Sequence, residues 1–256
     1  MNRVHPPSVP NRNDESTAIL EELTRVPRPR PGVCAICHTW VPDGDTICEN
    51  CKEVATVIAG EPLAASFVTL YTKPSPLRDW LTRYKGRPGG ADPFDPAASR
   101  VVHEILRDFV EQHWSTVRTA VGGFDAVVVV PSTDRPAPHP LEALLGQIDL
   151  GVPVQGLLKR TGEPVGFRRP NPGAYELAQE AAGSRIFLLD DVYTTGAHLN
   201  SAAEAIRVGG GQVAGALVLA RRINPDYCES ARTLWSEARS RPFTWADGPY
   251  LAGVAS

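Results

Sequence analysis

The residues best placed to do chemistry lie in one stretch, Ile186-Phe187-Leu188-Leu189-Asp190-Asp191-Val192-Tyr193-Thr194-Thr195-Gly196-Ala197-His198. An apolar run enters two adjacent acids, and a short turn bearing hydroxyls and a glycine leads out of them. A helix that starts after such a turn presents unpaired backbone N–H groups and the positive end of its dipole, and both favour an anion. Thr194 and Thr195 add hydroxyl donors, Gly196 admits close backbone approach, and Ala197 and His198 open the helix. Two carboxylates beside a bare phosphate repel it. They suit a ligand that carries hydroxyl donors as well as phosphate. Ribose 5-phosphate is such a ligand: Asp190 and Asp191 accept from its 2- and 3-hydroxyls while the loop from Thr194 to His198 holds the phosphate. The competing reading gives these residues a helix-capping role alone; the run of strand, acid pair and Thr-Thr-Gly turn favours a ligand.

A second constellation is Cys34-x-x-Cys37 and Cys48-x-x-Cys51, with ten residues between the pairs. Each pair fits a tight turn that aims two thiolates at one point, and two such turns make a closed tetrahedral zinc site. A closed four-thiolate site is structural, so zinc is assigned no catalytic part. Clustered cysteines also argue against a secreted disulfide scaffold, whose cysteines are dispersed. Cys228 stands alone and reads as a small buried apolar residue. His38 follows a ligand directly and reads as a surface residue.

These residues need a frame. The chain has 256 residues, 42% hydrophobic and 21% charged, with a formal net charge of -3. Nothing global therefore points to nucleic acid or a membrane surface. No apolar run approaches the roughly 20 residues of a membrane span, and the N-terminus lacks the apolar stretch of a secretory signal. A cytoplasmic protein is expected. Residues 1–31 read as a mobile Pro-rich tail with a short helix at Ser16 to Thr24. Strands are predicted at Ala65 to Tyr71, Ala126 to Val130, Val152 to Leu158, Ile186 to Leu189 and Val213 to Ala220. Helices are predicted at Leu77 to Tyr84, Ala97 to Trp114, from Pro140 to Leu145, and Gly196 to Val208. The alternation predicts an α/β fold, a mostly parallel sheet flanked by helices, with a small zinc-ribbon-like module at residues 32–58. The sheet domain is assigned to 59–223. Residues 224–256 form an extension that wraps the surface through Trp235, Trp245 and Tyr250.

The sequence strand–Asp190-Asp191-Val192-Tyr193-Thr194-Thr195-Gly196 resembles the signature of type I phosphoribosyltransferases. That resemblance implies 5-phosphoribosyl-1-pyrophosphate, bound with magnesium, as the ligand. It also implies that the loop after Val127 to Val130 binds pyrophosphate through Ser132, Thr133 and Arg135. A further loop at Lys159-Arg160-Thr161, with Arg168 and Arg169 beyond it, would close over the site. Leu81-Thr82-Arg83-Tyr84-Lys85-Gly86, the four-Cys module and Ala220-Arg221 together are similar to the ComF family, phosphoribosyltransferase-like proteins linked to competence. The likeness covers roughly residues 33–222. It departs from the ComF family in two places, at Ala137 to Glu142 and at Gly166 to Arg169, and from the type I phosphoribosyltransferase signature at His198, where Ser or Thr is common. The implied reaction breaks the bond from C1 to pyrophosphate, with Asp190, Asp191, Arg135 and Lys159 as catalytic residues and a nitrogen acceptor received around Arg221 to Tyr227. The same resemblance implies an alternative, a non-catalytic protein of DNA uptake or processing that senses the ligand or binds single-stranded DNA. The zinc module would then meet the DNA or a partner protein. A scaffold with a vestigial fold is the third reading.

Overall fold

The computed structural model describes residues 12–42, 44–58, 61–87, 92–131 and 138–254. In chain order its elements are α1 (Arg12–Glu22), α2 (Glu49–Ala55), β1 (Ser66–Tyr71), α3 (Pro76–Arg83), α4 (Pro96–Ala120), β2 (Ala126–Val129), α5 (Pro140–Leu145), β3 (Leu158–Arg160), β4 (Tyr175–Leu177), β5 (Arg185–Tyr193), α6 (Ala197–Val208), β6 (Gln212–Arg222) and α7 (Glu229–Ala238). Four strands form a parallel sheet in the order β1-β6-β5-β2. β3 and β4 form a separate antiparallel ribbon.

The sheet is buried on both faces, which is why its strands read as unbroken apolar runs. Alternate residues divide between two cores. Val128, Leu188 and Val218 face one core together with Ala202 and Ile206 of α6. Val127, Val129, Phe187, Leu189, Leu217 and Leu219 face the other, against Leu81 of α3 and Val102, Ile105 and Phe109 of α4. Asp95 caps α4 by accepting from the Ala97 N–H, and Pro96 opens its first turn. That helix runs six residues beyond the predicted end, because Val117 continues its buried face.

Other expectations are revised. Among the described residues, the predicted strand Val152 to Leu158 makes a single parallel bridge, Val154 with Val127, before the chain enters β3 at Leu158. Pro153 has no N–H to give a ladder and Gly156 has no side chain to pack. β5 runs past Leu189 through both acids to Tyr193, because β6 stays paired with it as far as Tyr193 and Arg221. His38 is wholly buried: its Nδ1 lies 2.8 Å from the Pro27 carbonyl, and its ring packs on Phe67 and Tyr250. Cys228 is half-buried at the start of α7. Residues 19–27, placed in a mobile tail, pack down through buried Ile19, Leu23 and Val26. Thr24 bridges Leu70 of β1, and the Val26 N–H reaches Gly248 at 2.8 Å. The cysteines share the first core with the sheet residues Leu188 and Val218. In the C-terminal segment, Trp245 is buried, while Trp235 and Tyr250 pack half-buried against the first core.

Candidate functional site at the end of the central strands

The two acids lie at the carboxyl end of β5, a central strand, where open α/β sheets receive ligands. Strand alternation sends their side chains to opposite faces. Asp191 is buried, and its carboxylate accepts from the Tyr84 hydroxyl at 2.7 Å and from Lys85 Nζ at 2.5 Å. Tyr84 and Lys85 directly follow α3, where the chain turns at Gly86 with φ +60. Burial pushes the Asp191 carboxyl up, but Lys85, with His139 and the Tyr84 hydroxyl, holds it below its ordinary range. Among the described residues, Asp190 has no ion pair with a cation. Burial and then the charge of Asp191 push it up to about 7, against the pull of Lys85. Its carboxylate accepts the Asp191 N–H at 2.9 Å.

Beyond Tyr193 the chain turns at Gly196, whose φ of +85 puts it in the left-handed region and starts α6. A Cβ there would run into the Tyr193 hydroxyl, so both the backbone conformation and the space favour glycine. The loop is braced from several directions. Asn200 Nδ2 donates to the Gly196 carbonyl at 2.9 Å, while its Oδ1 accepts from the Leu63 N–H at 2.8 Å. The Thr195 hydroxyl donates to the Phe167 carbonyl, and the Asn171 N–H reaches Ser201 Oγ at 2.8 Å. The segment around Phe167 to Asn171 therefore packs against the loop. His198 Nδ1 lies 2.9 Å from the Tyr175 hydroxyl on β4. Ala197 is buried in the first turn of α6, and Thr194 is half-buried.

Arg221 is nearly sealed from solvent at 2% exposure. It donates to the carbonyl of Thr194 at 2.8 Å and of Tyr193 at 3.3 Å, and its Nε donates to the Cys37 carbonyl at 2.9 Å. Lys159 lies on β3 and pairs with Glu176 of β4 at 3.0 Å, both side chains being more than half exposed. Ser132, Thr133 and Arg135 lie outside the described residues.

The four cysteine sulfurs all lie within 4.8 Å of one another, with Cys37 and Cys48 at 3.5 Å and Cys34 and Cys51 at 3.9 Å. Four sulfurs bound tetrahedrally at 2.3 Å stand about 3.8 Å apart, so this donor set fits a zinc-sized ion. Cys34 and Cys37 sit on a turn closed by the His38 N–H on the Cys34 carbonyl, with His38 at φ 57. The second pair comes from a helix instead of a second turn: Cys48 precedes α2 and Cys51 lies in its first turn.

The sequence assigns no role to Tyr84, Lys85 or Tyr175, and it places Arg221 only at the edge of the acceptor region, not on the Tyr193, Thr194 and Cys37 carbonyls that it holds. Arg83-Tyr84-Lys85-Gly86 was visible as a local resemblance, yet its partner Asp191 lies more than a hundred residues away. Arg221 carried a usable signal, a cation directly after an apolar strand.

No family model matches the chain. An orotate phosphoribosyltransferase of Sulfurisphaera tokodaii is 34% identical over 86 residues, covering 32% of this chain and 44% of that one. Another, from Pyrobaculum islandicum, is 36% identical over 87 residues, covering 32% and 45%. The chain thus spans less than half the length of the curated relatives it matches. Among solved structures, orotate phosphoribosyltransferase from Aeropyrum pernix overlaps 56% of this chain and 66% of its own at 22% identity and a TM-score of 0.31. Adenine phosphoribosyltransferase from Saccharomyces cerevisiae overlaps 59% and 80% at 18% identity and a TM-score of 0.35. Overlaps this loose decide nothing. The parallel sheet with flanking helices stands on its own strands, and the sequence likeness stands on about a third of the chain.

Proposed function

We propose that this protein binds 5-phosphoribosyl-1-pyrophosphate and transfers its phosphoribosyl group to a nitrogen acceptor. The reading is carried by the meeting of an acid pair, a left-handed glycine turn and a helix N-terminus at the carboxyl end of a central parallel strand. Asp190 and Asp191 accept from the ribose hydroxyls. The N–H groups and hydroxyls from Thr194 to His198 hold the 5-phosphate. Lys85 keeps Asp191 ionised for this work. As the C1–oxygen bond to pyrophosphate breaks, its electron pair leaves with pyrophosphate, and the acceptor nitrogen's lone pair forms the new bond at C1. Ser132, Thr133, Arg135 and Lys159 are the proposed pyrophosphate contacts, supplying stabilisation where negative charge grows. Magnesium, which enters on the pyrophosphate, supplies charge neutralisation of the leaving group when bound.

A cleft of about 330 Å³ supports a planar acceptor. Its walls include Thr194, Phe167, Arg222 and Asn224, and the rings of Trp40 and Tyr227, 5.6 Å apart and tilted by 30°. The four cysteines are proposed to hold one structural zinc. With Tyr84-Lys85-Gly86 and Ala220-Arg221, they support placing the chain in the ComF family. Reduced clustered thiols suit the cytoplasm, and among the described residues no helix is long and apolar enough to cross a membrane. The same cleft favours a second reading. Aromatic faces beside Arg168 and Arg222 suit a base of single-stranded DNA, as in a competence protein without turnover.

Calorimetric titration with the magnesium complex of phosphoribosyl pyrophosphate tests the first reading. The wild type should bind, and Asp190→Asn/Asp191→Asn should lose at least roughly tenfold in affinity, the equivalent of one charge-assisted hydrogen bond. No binding by folded, zinc-loaded protein would overturn it. Binding of single-stranded DNA across a salt series then examines the second.

A further inference from the structure

We infer that Arg221 is a positioning residue that couples the ligand affinity of the Thr194–His198 loop to occupancy of the four-cysteine site. The inference rests on the proposed reading of that loop as the phosphate site.

One buried side chain joins the two sites. Arg221 Nε donates to the Cys37 carbonyl at 2.9 Å, and Nη2 lies 3.5 Å from the Cys37 sulfur. Nη1 donates to the carbonyls of Tyr193, Thr194 and Arg222 at 3.3, 2.8 and 2.7 Å. In a trans peptide the C=O and the N–H that follows it point in opposite directions. Drawing the Tyr193 and Thr194 carbonyls onto the guanidinium therefore turns the N–H groups of Thr194 and Thr195 away from it. Those are the donors an anion needs. Left to itself, a short loop shares its carbonyls and N–H groups between both sides and has no preference for negative charge.

Tyr193 adds a second link. The Arg221 guanidinium lies 5.0 Å from the centre of its ring, and Phe67 meets the ring edge-on at 5.3 Å. The Tyr193 hydroxyl is buried with no hydrogen-bond partner among the described residues and lies against Gly196. A donor left unsatisfied beside the loop costs free energy unless a ligand meets it.

The direction of the coupling follows from charge. A buried guanidinium is costly unless paired. Four thiolates around a divalent ion keep a net negative charge, and Cys37 delivers it to Arg221. With that partner in place, the guanidinium stays where both carbonyls reach it. Without it, Arg221 has reason to move, and the loop loses its orientation. Linkage makes the effect reciprocal: ligand and metal strengthen each other by the same factor.

The test has two arms. In the first, zinc affinity of wild-type protein is measured by chelator competition with and without magnesium phosphoribosyl pyrophosphate. In the second, ligand affinity is measured by calorimetry for zinc-loaded wild type, Arg221→Gln, Arg221→Lys and Val54→Ala. Val54 is a buried residue of α2, so its truncation loosens the module without touching the loop. The ligand should tighten zinc binding at least roughly fivefold, the low end of ordinary coupling. Arg221→Gln should bind ligand at least as much more weakly, Arg221→Lys should recover part of the loss, and Val54→Ala should bind like wild type. Zinc affinity indifferent to the ligand overturns the inference and leaves the phosphate-site reading intact. Equal ligand loss in Val54→Ala does the same, since it reduces Arg221 to one module contact among many. If Arg221→Gln does not fold, the wild-type arm decides. No ligand binding by zinc-loaded wild type overturns both.

Discussion

Asp190 and Asp191 are neighbours in sequence with opposite electrostatic fates. Asp191 points to the face where α3 delivers Lys85 and Tyr84, and it is held low. Asp190 points the other way and is pushed up to about 7 by burial and by its neighbour's charge. The consequence for stability has a definite sign. Between its ordinary value of 3.8 and about 7, the folded protein holds a proton that the unfolded chain releases. Ionising Asp190 in the fold is therefore a cost, absent below pH 3.8, growing with pH, and complete above about 7. Asp190→Asn removes it. Thermal unfolding followed by circular dichroism should show the variant melting higher than wild type at pH 8 and level with it at pH 4. A lower midpoint at pH 8 would mean that the native site compensates the charge. The same variant should bind ligand more weakly, which is the usual exchange between stability and function at a strained site.

At the scale of elements, the β5–loop–α6 unit was legible in the sequence because its chemistry is local. Strand, acids, hydroxyls and glycine follow one another within thirteen residues, and each needs only its neighbours to act. The cysteine pairs were legible for the same reason. Missing were the groups that arrive through tertiary structure: Lys85 and Tyr84 from the end of α3, Tyr175 from the ribbon, Arg221 from β6. No spacing rule ties Asp191 to Lys85, 106 residues away, nor His198 to Tyr175 and Thr194 to Arg221, which lie 23 and 27 residues off on other elements. The strand expected at Val152 to Leu158 failed differently. Its apolar content was right, but Pro153 and Gly156 left it one bridge of pairing. A prediction belongs to the unit itself. Gly196→Ala puts a Cβ into the Tyr193 hydroxyl and an alanine at φ +85. Such strain costs about 1–3 kcal/mol, so the chemical-denaturation midpoint should fall by that equivalent and ligand binding should be lost. A variant that binds normally would show the turn has room to relax.

At the scale of the whole molecule, the cysteine cluster is no appendage. Its four residues share one core with Leu188 and Val218 of the central strands. Ions bound by such a cluster stabilise whatever folds with it. Excess chelator should therefore lower the melting midpoint of the entire domain, with far-ultraviolet circular dichroism and tryptophan fluorescence changing together. Two separated transitions would show instead that the module melts alone. The same wholeness appears on the outer side of β1. Segments from distant parts of the chain lie along it: Thr24 accepts the Leu70 N–H at 2.9 Å, while Phe67 and Tyr250 exchange a pair of bonds at 2.9 Å. An open strand edge is a template for strands of other molecules, and two strips of this chain already occupy it. Losing either strip would turn a question of folding into one of aggregation, because the sheet would then be free to recruit a second copy of itself.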